Sequence, residues 1–236
     1  MATKTKKKQE TGNELLESSE AIAEQVIRGE QFIEKNKKMV FIIGGMIAVV
    51  IAAFFLYDYY KTTQNEKAIV DVFQAQYYFE QDSLDKALSG DGNNFGFLDI
   101  IDEYPMSESA NLANFYAGVI YIKKGEYELA IEYLNHFSGD DLLVTPRAYS
   151  LIGDANMELG NYDEAISHYE KAALYNPNDY TSPIYMSKAA IAYEKSGNLD
   201  GAIKAYETII KNHRESAEYP NALKQKARLE MKKKAG

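Results

Sequence analysis

The side chains in this 236-residue chain best placed to move a proton or hold a metal near neutral pH are His136, His168 and His213. None has a second histidine or any cysteine at metal-ligand spacing, so they do not form a metal site. His168, within YDEAISHYEKA, is expected on a solvated helix face. The adjacent carboxylates Asp140 and Asp141, and Asp163 and Glu164, could serve as an acid/base pair only inside a pocket that perturbs their titration. They read instead as turn and helix-surface charges. The chain has no cysteine, which removes thiolate nucleophiles, disulfides and iron–sulfur ligation. Phosphate-binding G-x-x-x-x-G-K-[ST], dinucleotide-binding G-x-G-x-x-G and nucleophile-elbow G-x-S-x-G patterns do not occur. The expectation is a protein without catalytic residues, metal or cofactor, and therefore one that works by binding.

The elements that would carry binding are set by charge and hydropathy. Met39–Tyr57, MVFIIGGMIAVVIAAFFLY, is nineteen residues without a charge. As a helix it is roughly 28 Å long, close to the ~30 Å hydrocarbon thickness of a bilayer. It is expected to be a single transmembrane helix rather than a cleaved signal, because thirty-eight residues precede it and it exits into Phe54, Phe55, Leu56 and Tyr57. Within it Gly44, Ala48 and Ala52 fall four apart, a small-residue stripe of the kind that admits a second helix backbone inside a membrane. Arg28, Lys35, Lys37 and Lys38 lie within twenty residues before the stretch, against Lys61 and Lys67 after it. The positive-inside rule then places the N-terminus in the cytoplasm and the larger C-terminal part across the membrane, with Tyr57, Tyr59 and Tyr60 at the far interface. Asp58 to Arg214 carries twelve basic residues against twenty-five acidic ones, a poor match for nucleic acid or anionic lipid.

Before the apolar stretch, residues 1–12 have almost nothing to bury and are expected to be disordered. Leu15, Ile22, Val26 and Ile33 then recur on one helical face, flanked by Leu16, Ala23, Ile27 and Phe32. This segment reads either as a docking helix for a protein partner or as an amphipathic helix lying on the bilayer. After the stretch, Ala68, Val72, Ala75 and Phe79 mark one side of a long helix, and Gly90, Gly92 and Gly96 interrupt the chain before a short apolar helix ending ahead of Pro105.

From Ser107 onward the pattern repeats. IYIKKGEYELAIEYL, NMELGNYDEAISHYEKA and AYEKSGNLDGAIKAYETI align on Gly125, Gly160 and Gly197, 35 and 37 residues apart. This resembles the tetratricopeptide unit, a 34-residue pair of antiparallel helices. The middle unit matches through Tyr149, Ile152, Gly153, Ala165, Tyr169 and Pro177, and departs at Asn156, where an aromatic is usual. Small residues at Gly118, Gly153 and Ala190, facing Ala130, Ala165 and Ala202, would let the two helices of each unit approach closely. The three aligned glycines stand where the first helix must end in a left-handed residue. The fold expected is all-α: one N-terminal transmembrane helix followed by an α-solenoid of tetratricopeptide repeats. Its divisions are 1–38, a cytoplasmic segment; 39–57, the transmembrane helix; 58–106, an exit helix and degenerate capping repeat; 107–214, three repeats; and 215–236, a C-terminal capping helix with a basic tail. In that last helix Tyr219, Leu223, Ala227 and Met231 stand four apart and are expected to pack on the third repeat.

Such a solenoid offers a groove lined by the first helix of each repeat. Repeat register puts Leu112, Phe115, Val119 and Ile122 there from the first unit, Arg147, Ser150, Asp154 and Met157 from the second, and Ile184, Ser187, Ile191 and Glu194 from the third. With Arg147 nearly the only inward cation, the groove is expected to take a hydrophobic segment or a folded partner rather than to clamp a peptide's terminal carboxylate. The alternative is that the N-terminal cap covers Leu112, Phe115 and Val119.

The layout as a whole, with the basic FIEKNKK, the apolar helix, the tyrosine-rich exit YDYYK, then KAIVDVFQAQYYF and the repeats, resembles the YfgM-like ancillary subunits of the SecYEG translocon. The resemblance implies a non-enzymatic, single-pass inner-membrane protein with a periplasmic repeat domain. Its implied partners are SecYEG, the membrane-anchored chaperone PpiD and exported polypeptides. The other arrangement it is similar to is that of periplasmic tetratricopeptide adaptors coordinating envelope assembly or cell division.

Overall fold

The computed structural model describes residues 23, 24 and 26–235; the expectations for residues 1–12 and for Leu15, Leu16 and Ile22 lie outside them. All regular structure among the described residues is helical. The chain divides into two compact units, Met1–Tyr60 and Lys61–Gly236.

In the first unit residues 26–35 are helical, with Arg28 paired to Glu24 one turn earlier at 2.7 Å. After Asn36 begins α1 (Lys37–Glu80), which continues into the second unit. Its 44 residues contain no proline, and neither Gly44 nor Gly45 breaks the hydrogen-bonded ladder. It is the one helix among the described residues long and apolar enough to cross a membrane, and its apolar side chains from Met39 to Tyr57 are exposed.

The second unit is a run of antiparallel helix pairs. The last part of α1 buries Ala68, Val72 and Ala75 against α2 (Leu84–Ser89), α3 (Phe97–Glu103) and α4 (Glu108–Lys124). Phe97 stacks on Tyr116 at 4.9 Å, and Phe79 meets the same ring edge-on at 5.1 Å. Lys123 and Lys124, favoured at the negative end of α4, reach back to Asp82 at 2.7 Å and Asp85 at 2.9 Å. Three repeats follow: α4 with α5 (Tyr127–His136), α6 (Val144–Leu159) with α7 (Tyr162–Tyr175), and α8 (Ser182–Lys195) with α9 (Leu199–Asn212). Within the repeats each helix packs on its predecessor, and α4 also touches α6, so the first helices of the first two repeats lie side by side.

The turn inside each repeat is one device used three times. Gly125, Gly160 and Gly197 have φ of 76°, 78° and 84°. The next amide in each case, from Glu126, Asn161 and Asn198, donates back five residues to the carbonyls of Tyr121, Asn156 and Tyr193 at 2.8–2.9 Å. This satisfies helix-end carbonyls as a Schellman turn. Beyond the turn, close packing needs missing side chains. A Cβ at Gly118 would lie 2.5 Å from Leu134, and one at Gly153 would lie 2.6 Å from the ring of Tyr169. Asn156, where the repeat pattern usually has an aromatic, is buried and donates to the Ile152 carbonyl at 2.9 Å.

The last helix, α10 (Tyr219–Ala235), packs on α9, but not with the face expected from sequence. Ala222 and Leu229 are buried against the third repeat, whereas Leu223, Ala227 and Met231 point to solvent. An apolar i, i+4, i+8 series exists on α10; it is simply not the one the solenoid uses. His168 is likewise a correction. It is half-buried beside Tyr149, its Nδ1 has no partner, and burial lowers its pKa below the usual histidine range.

Candidate protein-binding groove

The groove is lined mainly by first helices, with Tyr127 from α5 and Tyr169 from α7. Ile122 from α4, Asp154 and Met157 from α6, and Ile191 from α8 line one groove of about 410 Å³. Four residues placed there by repeat register thus meet across three repeats. Tyr127, Glu158, Tyr169 and Lys188 complete the lining and were not among those expected.

The other expected positions lie elsewhere. Phe115 and Val119 pack with Leu134, Ala148, Leu151 and Ile152, so the second repeat covers them, rather than the N-terminal cap. Leu112 is half-buried and belongs to no core cluster. Arg147 is exposed, Ile184 is 43% exposed, and neither lines the groove. Ser150 is fully buried and Ser187 nearly so. Glu194 is tied to the terminal helix through Arg228 at 2.5 Å and Lys232 at 3.3 Å. Gly44, Ala48 and Ala52 are exposed in the first unit, and a Cβ at Gly44 would meet nothing within 4 Å.

Lys188 carries the electrostatics of the groove. Its Nζ lies 2.7 and 2.8 Å from the two carboxylate oxygens of Asp154, donates to Ser150 Oγ at 3.2 Å, and sits 5.6 Å from the centre of the Tyr169 ring. The Tyr169 hydroxyl donates to Asp154 Oδ1 at 2.7 Å, and burial together with the Asp154 charge pushes that phenol far above its ordinary pKa. The groove's inward cation is therefore already neutralised by Asp154. What remains accessible is the apolar surface of Ile122, Met157 and Ile191, edged by Tyr127 and Glu158.

By repeat register Lys188 belongs to an inter-repeat position rather than to the groove. It stands in the third repeat where the second has Leu151 and the first Tyr116, counting 37 and 35 residues back. Tyr116 packs on the N-terminal helices and Leu151 on the first repeat. At the third repeat the same inter-repeat position is filled by a lysine bonded to Asp154 on the first helix of the preceding repeat. The signal available in sequence was this one break in an otherwise apolar column.

Three segments, residues 113–137, 146–179 and 186–216, match tetratricopeptide-repeat family models. The second unit therefore contains three tetratricopeptide repeats, the architecture of protein–protein interaction scaffolds. The chain is 34% identical over 116 residues to the uncharacterized protein ycf37 of Guillardia theta, covering 47% of this chain and 64% of that protein. It is 34% identical over 111 residues to human tetratricopeptide repeat protein 21B, covering 42% of this chain and 8% of that one. With the TPR repeat-containing protein MJ1428 of Methanocaldococcus jannaschii it shares 27% over 96 residues, 41% of this chain and 16% of the other. The chain spans less than two thirds of the length of each of these relatives.

Proposed function

We propose that this protein is a membrane-anchored tetratricopeptide scaffold, without enzymatic activity, that serves as an ancillary subunit beside the SecYEG translocon. The observation that carries the reading is the combination in one chain of a helix apolar enough to span a bilayer and a repeat groove whose lining lysine, Lys188, is neutralised by Asp154. A groove of that character suits an apolar stretch of a partner, such as an unfolded exported polypeptide or a PpiD-like chaperone, better than a terminal carboxylate. In this reading residues 1–38 are cytoplasmic, 39–57 cross the inner membrane, 58–106 cap the solenoid, 107–214 are the periplasmic repeats and 215–236 close it. Gly44, Ala48 and Ala52 form the contact with a membrane-embedded partner.

The test is affinity purification of the full chain from mild detergent. Recovery of translocon or chaperone subunits supports the proposal, and Ala48→Leu is expected to lower that recovery while leaving the repeats folded. Met157→Asp is expected to reduce recovery of groove-bound partners several-fold, because it places a charge in the apolar floor. Recovery of peptidoglycan or outer-membrane assembly complexes instead, with no translocon subunit, would replace this reading by that of an envelope adaptor.

A further inference from the structure

The two ends of the second unit carry matched surfaces that remain exposed among the described residues. At the first end, α1 turns Ala68, Val72 and Ala75 inward and leaves Ile69, Val70, Phe73 and Tyr77 between 49% and 72% exposed. Glu66 and Glu80 fall on the same face, so the outward stripe has an apolar centre with a carboxylate at either end. At the other end, α10 turns Ala222 and Leu229 inward and leaves Leu223, Ala227 and Met231 outward, with Lys224 and Lys234 along that face. Glu66, Glu80, Lys224 and Lys234 make no ion pair among the described residues, although Arg228, Lys232 and Lys233 beside them are engaged with Glu194 and Asp200.

The surroundings repeat the contrast. Residues 61–106 hold three lysines against nine carboxylates, whereas Tyr219–Ala235 holds six cations against one glutamate. Contiguous exposed apolar side chains edged by charge are the mark of a contact surface. Like charge excludes two copies of the acidic stripe, or two of the basic one, from facing each other. Each copy does present both halves of a complementary pair.

We infer that the protein self-associates head to tail: the outward face of α10 in one copy docks on the outward face of α1 in a second, burying Leu223, Ala227 and Met231 against Ile69, Phe73 and Tyr77. The lysines of one stripe then meet the glutamates of the other. Because the two surfaces are different, the contact is heterologous and leaves a free stripe at each end of the dimer, so assembly is concentration-dependent and open-ended. One helix on one helix is a small interface, and the association is correspondingly weak and sensitive to salt.

The absence of native cysteine permits a direct test on the full chain in detergent micelles. Phe73→Cys and Ala227→Cys are made separately with different affinity tags, mixed and oxidised. Each chain then has one thiol, and any disulfide joins two copies. The mixture is expected to give dimers carrying both tags at several-fold the yield of disulfide dimers from either variant alone. Lys224→Glu, or salt near ~1 M where the screening length is ~3 Å, is expected to lower that yield several-fold. Glu66→Lys in the other copy is expected to restore part of the Lys224→Glu loss. Val70→Cys with Leu223→Cys is an independent pair on the same faces. Absence of mixed dimers from both pairs, or equal self-dimers of Phe73→Cys, overturns the inference and leaves these stripes to a different protein.

Discussion

Glu194 shows how a position assigned to one surface is taken by another. Hydrogen bonding from Arg228, supported by Lys232, outweighs its partial burial and holds its carboxyl down at about 2, against an ordinary 4.5. A lowered folded-state pKa contributes stability that is present above the unfolded value and is lost as pH falls toward the folded one. Glu194→Gln is therefore expected to cost roughly 1 kcal/mol near neutral pH, with the difference from wild type vanishing between pH 4.5 and about 2. Thermal melts of the two proteins across that range check it, and a difference independent of pH would mean that packing, not charge, sets the contribution. In the groove, the Lys188–Asp154 ion pair stands where Leu151 and Tyr116 make apolar contacts in the other repeats.

For the helices, the decisive question is which face meets the neighbouring element. In α10 two apolar series compete: Leu223, Ala227 and Met231 four apart, and Ala222 with Leu229 seven apart. The second is buried because a small alanine lets α10 approach α9, and Leu229 then inserts beside Ile209 with no exposure. Leu229→Ala is expected to destabilise the second unit by about 2–5 kcal/mol, whereas Met231→Ala stays within about 0.5 kcal/mol. Chemical denaturation of both variants decides it, and equal losses would put Met231 in the core. The same logic governs α4, whose Phe115 and Val119 are absorbed between repeats while Ile122, one turn later, reaches the groove.

Across the whole chain, the claim most open to direct test is its topology. Gln31→Cys and Ser196→Cys introduce single exposed thiols into the two units of a cysteine-free chain. An impermeant thiol reagent applied to intact cells with the outer membrane permeabilised is expected to label Ser196→Cys and to spare Gln31→Cys until the inner membrane is opened. Labelling of both from the same side would refute the orientation drawn from Arg28, Lys35, Lys37 and Lys38.

The sequence by itself determined what depends on local chemistry. Nineteen uncharged residues require a helix with a continuous apolar surface, and a glycine at the end of each first helix supplies the left-handed turn. Gly118 and Gly153 mark where two helices approach too closely for a Cβ. Periodicity identifies an apolar face but not its occupant, because a helix can carry two such faces and only the neighbour's shape selects between them. Tertiary structure alone decided that Phe115 and Val119 fill the space between repeats, that Leu223 and Met231 face water, and that Lys188 crosses to Asp154. Each of these outcomes depends on residues more than thirty positions apart or on the angle at which two helices meet.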